Sequence, residues 1–201
     1  MTSIKRHFVT GISSVSGGGK TAVTKTLADL LQDAVTVCFD DYDETNIHPQ
    51  NLEAWLAGGG DYNEWRTPAL TRDLQELTTG NHIASPVDGS KVSPAEYVVF
   101  DAPLGRAHRD TGRFIDFMVF IDTPLDVAMA RRLLRGMANV EANADETVKG
   151  IEVALSSYLN GARLLYVEFQ ERIKRQCDLV LDGCLSLDEL AGEIRARIPQ
   201  R

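Results

Sequence analysis

A glycine-rich segment near the amino terminus constrains the fold more than any other feature of this chain. It reads Gly11-Ile-Ser-Ser-Val-Ser-Gly-Gly-Gly-Lys20-Thr21, between an apolar run at 8–12 and an amphipathic stretch at 20–32. A strand, a glycine-rich turn and a helix in that order predict a loop whose backbone N–H groups bind phosphate. We expect Lys20 to reach the β- and γ-phosphates of a nucleotide, and the Thr21 hydroxyl to bind Mg²⁺.

The first position of this loop departs from the usual pattern. A glycine normally stands six residues before the lysine, whereas this chain has Ser14, which is small but could narrow the loop. A flexible glycine turn without function is the alternative; the flanking strand and helix favour phosphate binding. The residues predicted to hold the nucleotide are Ser14, Val15, Ser16, Gly17, Gly18, Gly19, Lys20 and Thr21.

Short apolar runs alternate with longer helical stretches, which is typical of a parallel sheet covered by helices. Predicted strands are 8–12, 34–39, 97–100, 117–121 and 178–181; predicted helices are 20–32, 52–57, 68–78, 123–135, 144–176 and one opened by the capping box Ser186–Glu189. We expect Thr123 to cap its helix, a break near Asn160-Gly161, and a loop at 83–94. The predicted fold is one α/β domain over 1–201, a five-stranded parallel sheet between two helical layers.

Composition and charge narrow the classes of partner. Lys and Arg number 21 and Asp and Glu 29, a net charge of -8 that argues against a broad nucleic-acid surface. No apolar run approaches the roughly 20 residues that span a bilayer, and no secretory signal is recognisable. Because Cys38, Cys177 and Cys184 lack CxxC spacing, we interpret them as reduced thiols. We therefore expect a cytoplasmic protein that binds a small molecule and neither nucleic acid nor a membrane. The sequence does not decide whether the chain forms a homo-oligomer.

Three carboxylates follow predicted strands. Asp40 and Asp41 come directly after the second strand, and Asp101 follows Tyr-Val-Val-Phe. Ligands of open parallel sheets bind beyond the carboxyl ends of the strands, where the glycine-rich loop also lies. We expect Asp101 to hold magnesium with Thr21, and Asp40 to orient a substrate hydroxyl and accept its proton. Asp41 is the alternative base, and solvated strand-end acids are the competing interpretation.

In this order, the segments resemble the uridine kinase family, in the wider group that includes phosphoribulokinase and nicotinamide riboside kinase. The similar stretches are the glycine-rich loop, Cys-Phe-Asp40-Asp41-Tyr42, Val-Val-Phe-Asp101, Phe120-Ile-Asp122-Thr-Pro, Arg131-Arg132-Leu-Leu-Arg135 and Cys-Asp178-Leu-Val-Leu. The resemblance implies a P-loop NTPase fold with a small helical lid, and an enzyme that moves the γ-phosphate of MgATP to a hydroxyl of a small molecule, foremost a nucleoside.

The resemblance also implies roles for individual residues. Asp40 falls on the catalytic base of the family, and Arg132 and Arg135 fall in the lid, at about 131–147, that closes on ATP phosphates. We expect these arginines to act with Lys20 on the transferring phosphate; a solvated helix face is the alternative interpretation of the pair.

The acceptor side of the site is predicted in an insertion at about 43–95. The candidates for acceptor contacts are Asp41, Tyr42, Trp65 and Arg106. Aromatic side chains there could sandwich a flat ring or pack a small helical subdomain. Arg106, Arg109 and Arg113 could hold an anionic acceptor or lie on a solvated face.

The chain also departs from the family. Ser14 replaces glycine, Asp101 replaces glutamate, and 83–94 is much shorter than the nucleoside-contacting hairpin of uridine kinases. ATP use is therefore better supported than nucleoside specificity. Two alternatives stay open: a regulatory or assembly protein that binds nucleotide without a small acceptor, and a kinase of a phosphorylated sugar.

Overall fold

A computed structural model describes residues 7–137 and 143–199. Its strands are β1 (Phe8–Ser13), β2 (Ala34–Cys38), β3 (Ile83–Ala84), β4 (Lys91–Val92), β5 (Tyr97–Asp101), β6 (Phe117–Asp122) and β7 (Leu179–Asp182). Its α-helices are α1 (Lys20–Leu31), α2 (Leu52–Ala57), α3 (Pro68–Thr78), α4 (Arg109–Gly112), α5 (Leu125–Gly136), α6 (Ala144–Ser157), α7 (Arg163–Lys174) and α8 (Leu187–Arg195). These bounds confirm most of the predicted elements to within one or two residues.

The main sheet has five strands in the order β2-β5-β1-β6-β7, and each neighbouring pair is parallel. β1 lies at its centre, and all six of its residues are buried. One apolar cluster packs α1 and α8 on one face of the sheet, and another packs α3 and α7 on the other. The predicted three-layer fold with a five-stranded parallel sheet is therefore confirmed, and its central strand leads into the glycine-rich loop.

Helices α6 and α7 form one rod that bends at a single turn. A π-helical turn, Tyr158–Ala162, joins them, and inside it Asn160 and Gly161 leave helical geometry, Gly161 with φ 131°. A positive φ of this size favours glycine, because the Cβ of any other residue would clash with its own backbone. The predicted break near Asn160-Gly161 is thus confirmed.

Two local predictions are wrong. The stretch 83–94 is not a plain loop, because β3 and β4 pair as a short antiparallel hairpin. Its turn is closed by Gly89, at φ 73°, and by Asp88, whose carboxylate accepts the Ser90 N–H at 3.0 Å. In addition, Thr123 does not cap α5: Pro124 is the N-cap residue and no side chain caps the helix. The Thr123 hydroxyl donates elsewhere, to the glycine-rich loop.

Candidate functional site

The glycine-rich loop turns tightly between the buried end of β1 and the first turn of α1. Gly17 and Gly19 both have positive φ, 85° and 101°. A Cβ on Gly17 would lie 2.3 Å from the Ala128 carbonyl oxygen, so α5 packs directly on the loop. The loop therefore needs glycine for its backbone shape and for the close approach of a neighbouring helix. This geometry at a helix N-terminus is suited to binding phosphate.

Ser14 fits the loop because residue 18 is glycine. The Ser14 hydroxyl donates to the Ile121 carbonyl oxygen at 2.8 Å and is buried. A Cβ added to Gly18 would lie 1.7 Å from that hydroxyl oxygen. The serine thus occupies space that a side chain at 18 would need, and it ties the start of the loop to β6.

Lys20, Thr21 and Asp101 meet at the end of β5. The Thr21 hydroxyl donates to Asp101 Oδ2 at 2.6 Å, and the Lys20 ammonium lies 3.6 Å from Asp101 Oδ1. Only 2% of Asp101 is exposed. Burial raises the pKa of Asp101, against the opposing effects of the Lys20 charge and the Thr21 hydrogen bond.

The chemistry of this group suits a magnesium ion bound together with phosphate. Asp101 Oδ1 is buried and accepts no hydrogen bond. Mg²⁺ prefers hard oxygen ligands and usually keeps one or two protein ligands beside waters and phosphate oxygens. Thr21 and Asp101 match that pattern, and no cluster of three or more His, Cys, Asp or Glu competes with them in the described part of the chain.

A cavity of about 950 Å³ opens beside the loop. Ser14, Val15, Ser16 and Lys20 line its phosphate end, and Asp40 lies on its wall. Asp41, the alternative base, does not line the cavity; burial and the neighbouring Asp40 raise the pKa of Asp41. The structure thus brings Asp40 and Lys20 into one cavity and leaves Asp41 outside it.

The aromatic side chains pack the region after β2, which is one of the two roles that the sequence left open. Trp55 contacts Trp65 edge-on with ring centroids 4.7 Å apart, and Tyr62 contacts Phe169 at 5.5 Å. They pack the region after β2 against α7. Trp55, Trp65 and Phe169 also line the cavity, so the same cluster forms an apolar part of its wall.

Two candidate acceptor residues lie outside the cavity. Tyr42 is buried, and its hydroxyl donates to Asp73 Oδ2 at 3.0 Å. Arg106 forms an ion pair with Asp178 at 2.7 Å and donates to the Asp116 carbonyl oxygen at 3.0 Å. The hydrogen-bonding groups of both side chains are engaged within the fold, so the geometry does not favour their predicted acceptor contacts.

The arginines of α5 differ in their distance from the loop. A Cβ on Gly17 would lie 2.6 Å from Arg132 Cγ, and Arg132 donates to the Tyr166 hydroxyl at 2.8 Å. Arg131 lies near Gly19 and donates to the Gly183 carbonyl oxygen at 3.3 Å. Arg135 is exposed and has no hydrogen-bond or ion-pair partner within 7–137 and 143–199. The predicted lid, 131–147, includes 138–142, which lie outside the described residues.

Comparison with known proteins gives consistent relatives over nearly the whole chain. No protein-family model matches it. A uridine kinase of Clostridium tetani is 22% identical over 210 residues, 96% of this chain and 97% of the relative. A uridine kinase of Brevibacillus brevis is 27% identical over 185 residues, 85% and 82% of the two chains.

Solved structures agree on the fold. A "possible uridine kinase" from Bacillus stearothermophilus has a TM-score of 0.51 at 20% identity and covers 88% of this chain and 89% of its own. A chain provisionally described as a fructose transport system kinase from Silicibacter sp. TM1040 has a TM-score of 0.57 at 16% identity, covering 90% and 92%. In sequence and in fold, the chain is thus similar to uridine kinases. Together, the relatives and the fold support an ATP-dependent small-molecule kinase.

Two residues in or beside the candidate site carried no recognisable signal in the sequence. Tyr166, on α7, lines the cavity and accepts from Arg132, but only the fold brings α7 across the loop. His108 is buried, and its Nε2 lies 2.9 Å from the Trp65 carbonyl oxygen. Burial lowers the pKa of His108, against the opposing effect of the hydrogen bond to the Trp65 carbonyl oxygen.

The described part of this P-loop kinase has no helix long and apolar enough to cross a bilayer.

Proposed function

We propose that this kinase transfers the γ-phosphoryl group of MgATP to a hydroxyl of a nucleoside or a closely similar uncharged molecule. The observation that carries the proposal is that one cavity is lined both by Lys20, at the end of the phosphate loop, and by Asp40. Phosphoryl transfer needs positioning and charge stabilisation more than covalent chemistry by the protein. A phosphate-binding loop beside an open carboxylate supplies both.

The chain's own residues account for each proton and charge. Asp40 accepts a hydrogen bond from the acceptor hydroxyl and takes its proton as the oxygen attacks the γ-phosphorus. The bond between that phosphorus and the β,γ-bridging oxygen breaks, and ADP leaves with the electron pair. Lys20 and Arg132 neutralise charge on the phosphate oxygens. Magnesium, when held by Thr21 and Asp101, supplies further positive charge at the β- and γ-phosphates.

The lining of the cavity favours an uncharged acceptor. Apart from Lys20 and Asp40, the described residues that line it carry no formal charge. The lining combines the rings of Trp55 and Trp65 with the amide side chains of Gln50, Asn51 and Asn160. Such a surface suits a flat ring with hydrogen-bonding edges, because amides both donate and accept. The relatives named uridine kinase are consistent with this chemistry.

The same lining argues against a phosphorylated sugar as acceptor. Binding a phosphate monoester at the acceptor end needs a cation there, and Arg106, Arg109 and Arg113 do not line the cavity. Arg106 instead pairs with Asp178, and Arg113 lies 4.8 Å from the Phe114 ring centroid.

The test is ADP release from MgATP, with no acceptor, with nucleosides and with phosphorylated sugars. We expect turnover with at least one nucleoside, and Asp40→Asn to lower kcat at least 100-fold, because general base catalysis contributes about 10²–10⁴-fold. Asp41→Asn is the matched control, since it makes the same change one residue away, outside the cavity. Full activity of Asp40→Asn would remove Asp40 from the base role, and MgATP binding without acceptor-stimulated turnover would favour a regulatory protein.

A further inference from the structure

Two side-chain hydroxyls tie the phosphate loop to the end of β6. Ser14 Oγ donates to the Ile121 carbonyl oxygen, and Thr123 Oγ1 donates to the Gly18 carbonyl oxygen, each at 2.8 Å. Only 2% of Ser14 and none of Thr123 is exposed. The entrance of the loop and its last turn are therefore both attached to one strand end, by hydrogen bonds that water does not reach.

Gly183, in the turn after β7, lies close to the Thr123 hydroxyl. A Cβ on Gly183 would lie 1.9 Å from Thr123 Oγ1 and 2.7 Å from Thr123 Cα. Gly183 also accepts from Arg131 through its carbonyl oxygen and donates its N–H to the Asp122 carbonyl oxygen at 3.0 Å. The turn after β7 thus approaches Thr123 closely, and the hydroxyl is held in a tight space.

The hydrogen bond from Thr123 to the Gly18 carbonyl oxygen also fixes the direction of the Gly19 N–H, which belongs to the same peptide group. A trans peptide is planar, so its C=O and N–H point in opposite directions. When Thr123 holds the Gly18 carbonyl, the Gly19 N–H must point away from Thr123. Among the residues that the structure describes, this N–H donates to no acceptor. It is a free donor, oriented by a side chain from another strand.

We propose that Thr123 is a positioning residue for the donor nucleotide, which fixes the Gly18–Gly19 peptide so that the Gly19 N–H faces a bound phosphate. Thr123 directly precedes Pro124, the N-cap residue of α5, and α5 carries Arg132. This inference rests on the proposed function, because it needs a nucleotide bound in the loop. The sequence alone suggested a helix cap at Thr123, not a contact with the phosphate loop.

The test compares Thr123→Val, which removes the hydroxyl at nearly constant volume, with Thr123→Ser, which keeps it. Thr10→Val is the matched control, since Thr10 is 1% exposed and its hydroxyl has no partner. We measure the Kd of MgADP by calorimetry, the KM of MgATP, kcat and Tm. We expect Thr123→Val to weaken MgADP about tenfold and to raise the KM of MgATP similarly, while Thr123→Ser and Thr10→Val stay within about twofold of wild type.

The outcomes separate this inference from the proposed function. A wild-type protein that binds no MgADP contradicts the proposed function itself. Wild-type binding with unchanged affinity in Thr123→Val overturns the inference alone, and so does a lower Tm without a change in affinity, which indicates a purely structural role. If Thr123→Val does not fold, Thr123→Ala carries the same test, because it removes the hydroxyl without adding volume in this tight space; unchanged MgADP affinity in that variant also overturns the inference.

Discussion

The contact between Ser14 and Gly18 predicts that these two positions depend on each other. A methyl group on Gly18 would lie 1.7 Å from Ser14 Oγ, 2.8 Å from Ser14 Cβ and 2.9 Å from the Val15 carbonyl oxygen. Gly18 does not have a positive φ, so backbone strain does not enter, and the conflict is steric. The structure must move Ser14 aside to accept Gly18→Ala.

The size of the effect follows from two contributions. Overpacking a well-packed site costs about 1–3 kcal/mol, and losing the Ser14 hydrogen bond to Ile121 costs about 0.5–1.5 kcal/mol. We therefore expect Gly18→Ala to lower the free energy of unfolding by about 2–4 kcal/mol. For a chain of this length, about 2–4 °C of Tm accompanies each kcal/mol, so Tm falls by about 5–15 °C.

A double-mutant cycle tests the assignment to Ser14. Ser14→Gly alone loses about 1 kcal/mol, chiefly its hydrogen bond. The double variant Ser14→Gly/Gly18→Ala removes the two closest contacts, so we expect it to regain about 1–3 kcal/mol relative to the sum of the single changes. The assay is urea unfolding followed by circular dichroism. Additive effects in the cycle, or a Gly18→Ala protein within about 0.5 kcal/mol of wild type, would refute the reasoning.

Two further predictions concern the site. Because burial raises the folded-state pKa of Asp101 above its unfolded value of 3.8, the stability from this group is fully present below that value and is lost as pH rises through the folded pKa. In magnesium-free buffer, the Tm of Asp101→Asn minus that of wild type should therefore increase from pH 4 upward; a difference that is constant or falls would contradict the sign. Tyr166→Phe removes the hydroxyl that accepts from Arg132 at 2.8 Å but keeps the ring, so we expect kcat to fall about 3–10-fold with little change in the KM of MgATP. Tyr158→Phe is the control, and equal kcat values in the two variants would argue against a role for this contact.

The order of strands and helices was accessible from the sequence because apolar periodicity and capping residues report it locally. The helices at 52–57 and 68–78 and the capping box at Ser186 are the clearest cases. The β3–β4 hairpin was missed, since its strands have only two residues each and Pro86 and Gly89 suggest a loop. Short strands carry too little alternation to be recognised.

The site was predictable where a motif lies within one segment and not where it depends on contacts between distant segments. The loop from Ser14 to Thr21 is such a segment. Tyr42 follows Asp41 directly, yet its hydroxyl is bound to Asp73, thirty-one positions away. The role of the Thr123 hydroxyl likewise depends on a glycine 105 positions earlier, which no local pattern encodes.

Strand β1, at the centre of the sheet, and helix α6, at the periphery, differ sharply in burial. Every residue of β1 is buried, whereas α6, which leads to the kinked wall of the cavity, has no buried residue. Local opening of a protein begins where few apolar contacts must break. We therefore expect amide hydrogens of α6 to exchange with solvent through local fluctuations, and those of β1 to exchange only through global unfolding. The opening of α6 should then leave the strand that leads into the glycine-rich loop undisturbed.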